Sequence, residues 1–152
     1  MTRHHTTRGI ATALAAFALL PNLLIGSPVQ AAAAEAGSVT LTVKYTGKGD
    51  VDKSHQIWTW LFDTPNIGPG AMPIGEMSLD KNGGDVAFTN VTADKVWIAV
   101  AYDINGGFSG MAPPPSGSPV AIHSDSSGAP AEVTPGDKTR VSVTFNDTDR
   151  MP

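Results

Sequence analysis

The sequence predicts an all-β protein, a seven-stranded antiparallel β-sandwich. Several short segments alternate apolar and polar residues with a period of two, which is typical of strands. The chain also has 16 glycines and 12 prolines in 152 residues, which supply many turns. No stretch keeps helical spacing over three turns. Charged residues make up 16% of the chain, less than the usual share of about 25%, which excludes a charge-driven disordered chain and a coiled coil.

The first and last predicted strands show the alternation most clearly. Val39, Leu41 and Val43 are separated by threonines in the first, and residues 140–145 repeat the pattern. Such a strand buries one face and leaves the other in water. The seven predicted strands are residues 38–46, 55–62, 74–79, 85–91, 95–102, 119–123 and 140–145.

Two predicted strands, residues 55–62 and 95–102, are apolar on both faces, which is typical of strands at the centre of a sheet. Their tryptophans, Trp58, Trp60 and Trp97, are expected to line one sheet face. Together with Phe108 they are the candidate ligand-binding residues, because exposed rings suit stacking on sugars or on an apolar partner. In the alternative interpretation these rings fill the core or lie under a loop, as large aromatic residues mostly do.

The first 34 residues have the pattern of a secretory signal peptide. Arg3 and Arg8 precede an apolar run over residues 10–20, and small residues follow. The run is shorter than the roughly 20 apolar residues that a membrane-spanning helix needs. Val29-Gln30-Ala31 fits the cleavage rule, and Ala33 or Ala34 fits nearly as well. Residues 35–152 are therefore expected to form one secreted or periplasmic domain.

Charge and cysteine content limit the partners of this domain. Without residues 1–34, eight basic and 14 acidic residues remain, a net charge of −6. Nucleic acid and anionic membrane surfaces are poor partners for such a chain. No later segment is long and apolar enough to span a bilayer. The chain has no cysteine, which excludes disulfides, thiolate metal sites and a cysteine nucleophile.

Turn and loop residues separate the strands. Asn82-Gly83-Gly84 contains residues that adopt positive φ and predicts a tight hairpin. Residues 103–117 form a loop that is longer than most in compact domains and carries three consecutive prolines. The end of the sandwich with residues 50–55 and 103–117 is the expected working surface, because rigid loops on a β-sandwich commonly carry recognition.

The order of these segments resembles the transthyretin-like (prealbumin-like) β-sandwiches, which include the carboxypeptidase regulatory-like domains of exported bacterial proteins. The fold class that this implies is a transthyretin-like or immunoglobulin-like sandwich. The resemblance spans nearly all of residues 37–147, and its carrying segments are Gly37–Tyr45, His55–Phe62, Gly84–Val91 and Val96–Asn105. It implies the fold, and a fold of this kind hosts many functions.

Calcium is the one cofactor for which the sequence offers candidate ligands. Small exported relatives of this kind often carry a D-x-N-G-N-G-x-x-D loop after the same strand. Here Asp103 and Asn105 are followed by Gly107 in place of the second asparagine, and no acidic residue occurs before Asp125. If the strands alternate in direction, one rim holds the six oxygen-bearing candidates Asp50, Asp52, Asp103, Asn105, Asp147 and Asp149. Alternatively, these side chains only initiate turns.

Enzymatic chemistry is not expected. The sequence has no G-x-S-x-G elbow and no H-E-x-x-H or other zinc spacing. The sequence therefore favours an exported, non-enzymatic binding or accessory module with an unknown protein or carbohydrate partner. A calcium- or carbohydrate-binding module is the first alternative. A small hydrolase or isomerase on a transthyretin-like fold is the second.

Overall fold

The computed structural model describes residues 36–68 and 70–152, and all seven predicted strands are confirmed within these residues. Each strand begins and ends within two residues of its predicted bounds. The predicted leader, residues 1–34, lies outside the described residues. The strands are β1 (Gly37–Tyr45), β2 (Ile57–Phe62), β3 (Gly75–Leu79), β4 (Asp85–Val91), β5 (Trp97–Tyr102), β6 (Val120–Ile122) and β7 (Arg140–Phe145).

The strands form two sheets, one of three strands in the order β4-β1-β7 and one of four in the order β3-β2-β5-β6. Alternate residues of each sheet point inward, and the core lies between them. The largest fully buried side chains include Leu41 from one sheet and Ile57, Leu61 and Ile98 from the other. The strands that are apolar on both faces, β2 and β5, are the two central strands of the four-stranded sheet, as predicted.

The expectation of a wholly antiparallel sandwich is wrong at one pair, because β1 and β7 pair in parallel, with Leu41 opposite Val141. The reason is geometric. The strands alternate in direction along the chain, so any two odd-numbered strands point the same way and must pair in parallel if they are neighbours. Side-chain periodicity predicts each strand but does not say which strand lies beside it.

The turn at residues 82–84 also differs from its prediction. Gly83 has the expected positive φ of 71°, but β3 and β4 belong to different sheets, so the turn joins two sheets instead of closing a hairpin. The side chain of Asn82 forms the equivalent of a strand pair with β1. It accepts a hydrogen bond from the Tyr45 amide at 2.9 Å and donates to the Tyr45 carbonyl at 2.7 Å.

The part of the chain that the structure describes contains no helix long and apolar enough to cross a bilayer.

Candidate functional site

Of the expected working surface, residues 50–55 and the first part of residues 103–117 lie together at one end of the sandwich. β1 and β5 end side by side there, and the chain leaves β7 at the same end. The Asp103 amide donates to the Gln56 carbonyl at 2.9 Å, and the Gly107 amide donates to the Ser54 carbonyl at 3.3 Å. These bonds join residues 48–55 and 103–107 into one surface, which we call the loop end.

A pair of tyrosines closes the core beneath the loop end. Tyr45 of β1 and Tyr102 of β5 stack with their ring centroids 4.4 Å apart. The Tyr102 hydroxyl donates to the Asp50 carbonyl at 3.0 Å, and the Tyr45 hydroxyl donates to the Asp147 carboxylate. Burial raises the pKa of both phenols, and the hydrogen bond to Asp147 raises that of Tyr45 further. Sequence reasoning missed this pair, although each tyrosine is the last inward residue of its strand.

An open depression of about 320 Å³ lies on the loop end and is lined by Lys48, Gly49, Asp50, Asp52, His55, Tyr102 and Ile104. His55 Nδ1 lies 3.3 Å from Asp52 Oδ1. The same oxygen accepts the main-chain N–H groups of His55 and Ser54, each at 2.8 Å. These N–H groups hold the pKa of Asp52 below its usual value. Of the predicted calcium candidates, the depression therefore contains Asp50 and Asp52.

Asp103 does not face this depression. Its side chain is almost fully buried, with the residue 3% exposed. One carboxylate oxygen accepts the Gly106 amide at 2.9 Å and the other accepts the Phe108 amide at 2.8 Å. Asn105 lies on the exposed outside of this turn. Asp103 thus fixes the start of residues 103–117, which we call the covering loop.

The rest of the predicted acidic rim is divided between separate places. Asp147 accepts the Lys48 amide at 2.9 Å in addition to the Tyr45 hydroxyl, and both bonds hold its pKa low. Asp149 lines a different depression beside β6. Within residues 36–68 and 70–152, no three His, Cys, Asp or Glu side chains are grouped so that they could hold a metal ion. A calcium site made from several loop oxygens stays a prediction.

The predicted aromatic residues lie on the outer face of the four-stranded sheet, away from the core. Trp58 and Trp60 have ring centroids 6.5 Å apart and planes within 22° of parallel. The ring of Phe108, from the covering loop, meets both indoles edge-on at 5.4 and 6.2 Å. Trp58, Trp60 and Phe108 form what we call the aromatic cluster. Trp60 is only 6% exposed, so the cluster lies under a loop, which is the alternative that the sequence left open.

Two loops contribute to the covering of this outer face. Ile67 and Ala71, which follow β2, and Phe108 of the covering loop pack against the buried group of Trp60, Phe62 and Ala101. Gly110 lets the covering loop touch the Trp58 ring, because a methyl group at this position would overlap the indole. Next to it, Met111 is 84% exposed and extends away from the protein.

Trp97 shares the outer face with the cluster but not its position. It begins β5 and pairs with Phe62, whereas Trp58 pairs with Ala101 near the other end of that strand. Trp97 is partly exposed. The structure therefore groups Trp58, Trp60 and Phe108 and leaves Trp97 apart from them.

No protein-family model, curated protein or solved structure matches this chain. The resemblance to transthyretin-like sandwiches therefore stays a prediction from the sequence.

Proposed function

We propose that this protein is an exported, non-enzymatic binding module whose working surface is the loop end. The observation that carries this proposal is the joining of residues 48–55 to residues 103–107 around one open depression. Two loops that are distant in sequence thereby present a single preorganised surface. Because the loops are already ordered, little conformational entropy is lost when a partner binds, which favours recognition.

The loop end has the mixed chemistry of a recognition surface. Ile104 is 38% exposed and supplies an apolar contact. Lys48, Asp50 and His55 around it supply charged and hydrogen-bonding groups. Buried Asp103 holds the turn that carries Ile104. A central apolar residue with a polar surround is the usual composition of a binding interface.

The carboxylates near the depression support a binding role more than a catalytic one. Asp52 and Asp147 accept main-chain N–H groups, and Asp103 is used in the same way. Carboxylates used in this way stabilise the loops that present the surface, which supports a role in binding.

Site-specific photo-crosslinking in the source cells tests the binding role. A photoreactive residue replaces Ile104 in one variant and Ser142, an exposed residue on the outer face of the three-stranded sheet, in a matched control. We expect a discrete crosslinked product from position 104 that is absent from position 142. The proposal is wrong if both positions give the same products, or if neither position gives any.

Export is tested separately, by N-terminal sequencing of the protein recovered from the periplasm or the medium. We expect a mature chain that begins at Ala32, Ala34 or Glu35, directly after one of the predicted cleavage positions. Recovery of the chain only inside the cell, with residues 1–34 still attached, would contradict export.

A further inference from the structure

The outer face of the four-stranded sheet carries a second, smaller group of buried apolar side chains, and polar groups lie within and beside it. Trp58 and Trp60 form its floor, with nearly parallel indole planes. The residues opposite them on β5, Ala101 and Ala99, have small side chains that do not project far from the sheet. Two adjacent indoles of this kind suit a flat ring laid across them.

One polar group on this floor has no partner. Trp58 Nε1 is buried, and it has no hydrogen-bond acceptor among the described residues. A buried donor without an acceptor is destabilising, and nearly all buried donors in folded proteins are satisfied. This donor would be satisfied by a ligand that brings an oxygen acceptor to the floor.

Polar side chains border the floor on its other side. Ser78 lies directly opposite Trp58, and Glu76 lies directly opposite Trp60, both on the edge strand β3. Directly opposed residues of antiparallel strands share a sheet face. The hydroxyl of Ser78 and the carboxylate of Glu76 therefore flank the two indoles, where they can bond to hydroxyl groups of a ring.

Phe108 occupies the place above this floor. Its ring meets both indoles edge-on, and it is carried by a loop with left-handed glycines at Gly106, Gly107 and Gly110. A hydrocarbon ring fills the space but offers the Trp58 N–H only a weak π contact in place of an oxygen acceptor. Phe108 is thus an incomplete substitute for a polar ring.

We propose that Trp58, Trp60, Glu76 and Ser78 form a binding site for a neutral sugar ring of an oligosaccharide, and that Phe108 fills this site when no sugar is bound. This inference goes beyond the proposed function, because the site lies beneath the covering loop and not in the depression of the loop end. The sugar's ring face packs on the indoles, one of its oxygens accepts the Trp58 N–H, and its hydroxyls bond to Glu76 and Ser78.

Two other ligand classes fit less well. An anionic ring would be repelled by Glu76, and the chain as a whole is acidic. A quaternary ammonium ion suits an aromatic surface next to a carboxylate, but it has no acceptor for the Trp58 N–H. The unpartnered donor therefore favours a neutral sugar over a cation.

The test compares ligand binding by the full chain and its Phe108→Ala variant in isothermal titrations. The sugars are cellohexaose, chitohexaose and maltohexaose, and tetramethylammonium is the cationic probe. Removing the Phe108 ring frees the part of the floor that this ring covers. We therefore expect at least one oligosaccharide to bind the Phe108→Ala variant about tenfold more tightly than it binds the unchanged protein. Adding Trp58→Phe to this variant keeps a ring but removes the N–H, and it should abolish the gain.

A second variant and a matched control complete the test. Gly110→Ala keeps Phe108 but adds a methyl group that pushes the loop off Trp58. This variant should also bind sugar more tightly. It provides the test if Phe108→Ala does not fold. Met111→Ala changes an exposed residue of the same loop and should leave binding unchanged. The inference is overturned if the folded opening variants bind no sugar more tightly than the Met111→Ala control, or if Trp58→Phe does not reverse the gain. It is also overturned if only tetramethylammonium binds. None of these variants alters position 104, so the crosslinking result is independent of this one.

Discussion

The outer faces of the two sheets differ sharply. The three-stranded sheet presents polar side chains such as Thr42, Asp85 and Arg140, with Thr42 Oγ1 donating to Asp85 at 2.6 Å and Arg140 lying 3.7 Å from the same carboxylate. The four-stranded sheet presents Trp58 and Trp60 instead. Both sheets bury their inner faces in the same core.

The comparison shows why the outer face of the four-stranded sheet needs a loop over it, whereas that of the three-stranded sheet does not. The polar face needs only water, because its strands are amphipathic. The aromatic face would expose a large apolar patch if it were not covered, and the covering loop removes that patch. The buried carboxylate of Asp103 fixes the start of this covering loop through the Gly106 and Phe108 amides.

The largest expected effect comes from removing the best-buried ring of the aromatic face. Trp60→Ala should lower the free energy of unfolding by about 3 kcal/mol, since it deletes a buried aromatic side chain and leaves a cavity. Thr42→Ala on the polar face should cost less than about 1 kcal/mol, because its hydrogen bond is exposed. Urea unfolding followed by circular dichroism measures both. Equal losses of unfolding free energy in the two variants would contradict the difference between the two faces.

The next effect concerns the attachment of the covering loop. Asp103→Asn keeps the size of the side chain but leaves one acceptor oxygen for two amides, and we expect a loss of about 2 kcal/mol. Hydrogen exchange should become faster at the Gly106 and Phe108 amides and stay unchanged in β1. Asp52→Asn is the matched control. Because Asp52 is exposed, this substitution should lower the free energy of unfolding by less. Unchanged exchange at Gly106 and Phe108 would show that Asp103 does not fix the loop.

A smaller effect is expected at high pH, where the tyrosine pair joins the ends of the two sheets. Tyrosines of the unfolded chain lose their protons near pH 10, whereas burial raises the pKa of Tyr45 and Tyr102 in the folded protein. The folded state therefore holds more protons above that pH, and stability should fall as the pH rises past about 10. The chain has two tyrosines, so phenolate absorbance reports on this pair alone.

Tyr45→Phe is the control for this pH dependence. It keeps the stacked ring and removes one ionising group, so the loss of stability at high pH should become smaller. A variant that loses stability over the same pH range and to the same extent as the unchanged protein would show that Tyr45 does not contribute.

The smallest expected effect is that of calcium. Asp52, Asp103 and Asp147 already accept N–H or O–H donors, and these donors compete with a cation for the same oxygens. We expect the melting temperature to be the same in millimolar calcium and in excess chelator, as judged by differential scanning fluorimetry. A clear rise with calcium would show that the loop end reorganises around the ion.

Much of the candidate site could be predicted because it depends on local patterns. Alternation placed Trp58 and Trp60 on one face, and the length and prolines of residues 103–117 indicated a loop with a specific role. The tyrosine pair and the two amides held by Asp103 could not be predicted. They depend on which strand ends meet in space, and an aspartate before a glycine-rich turn has the same sequence whether its carboxylate is buried or free.

The sequence by itself determined the seven strands and the inward or outward direction of their side chains, because a period of two is a local property of the chain. Only the tertiary structure decided that β1 pairs in parallel with β7, that β3 and β4 lie in different sheets, and that Phe108 covers two tryptophans. Each of these arrangements joins residues far apart in sequence. Long-range pairing is selected by the packing of the whole sandwich, and no single segment contains that information.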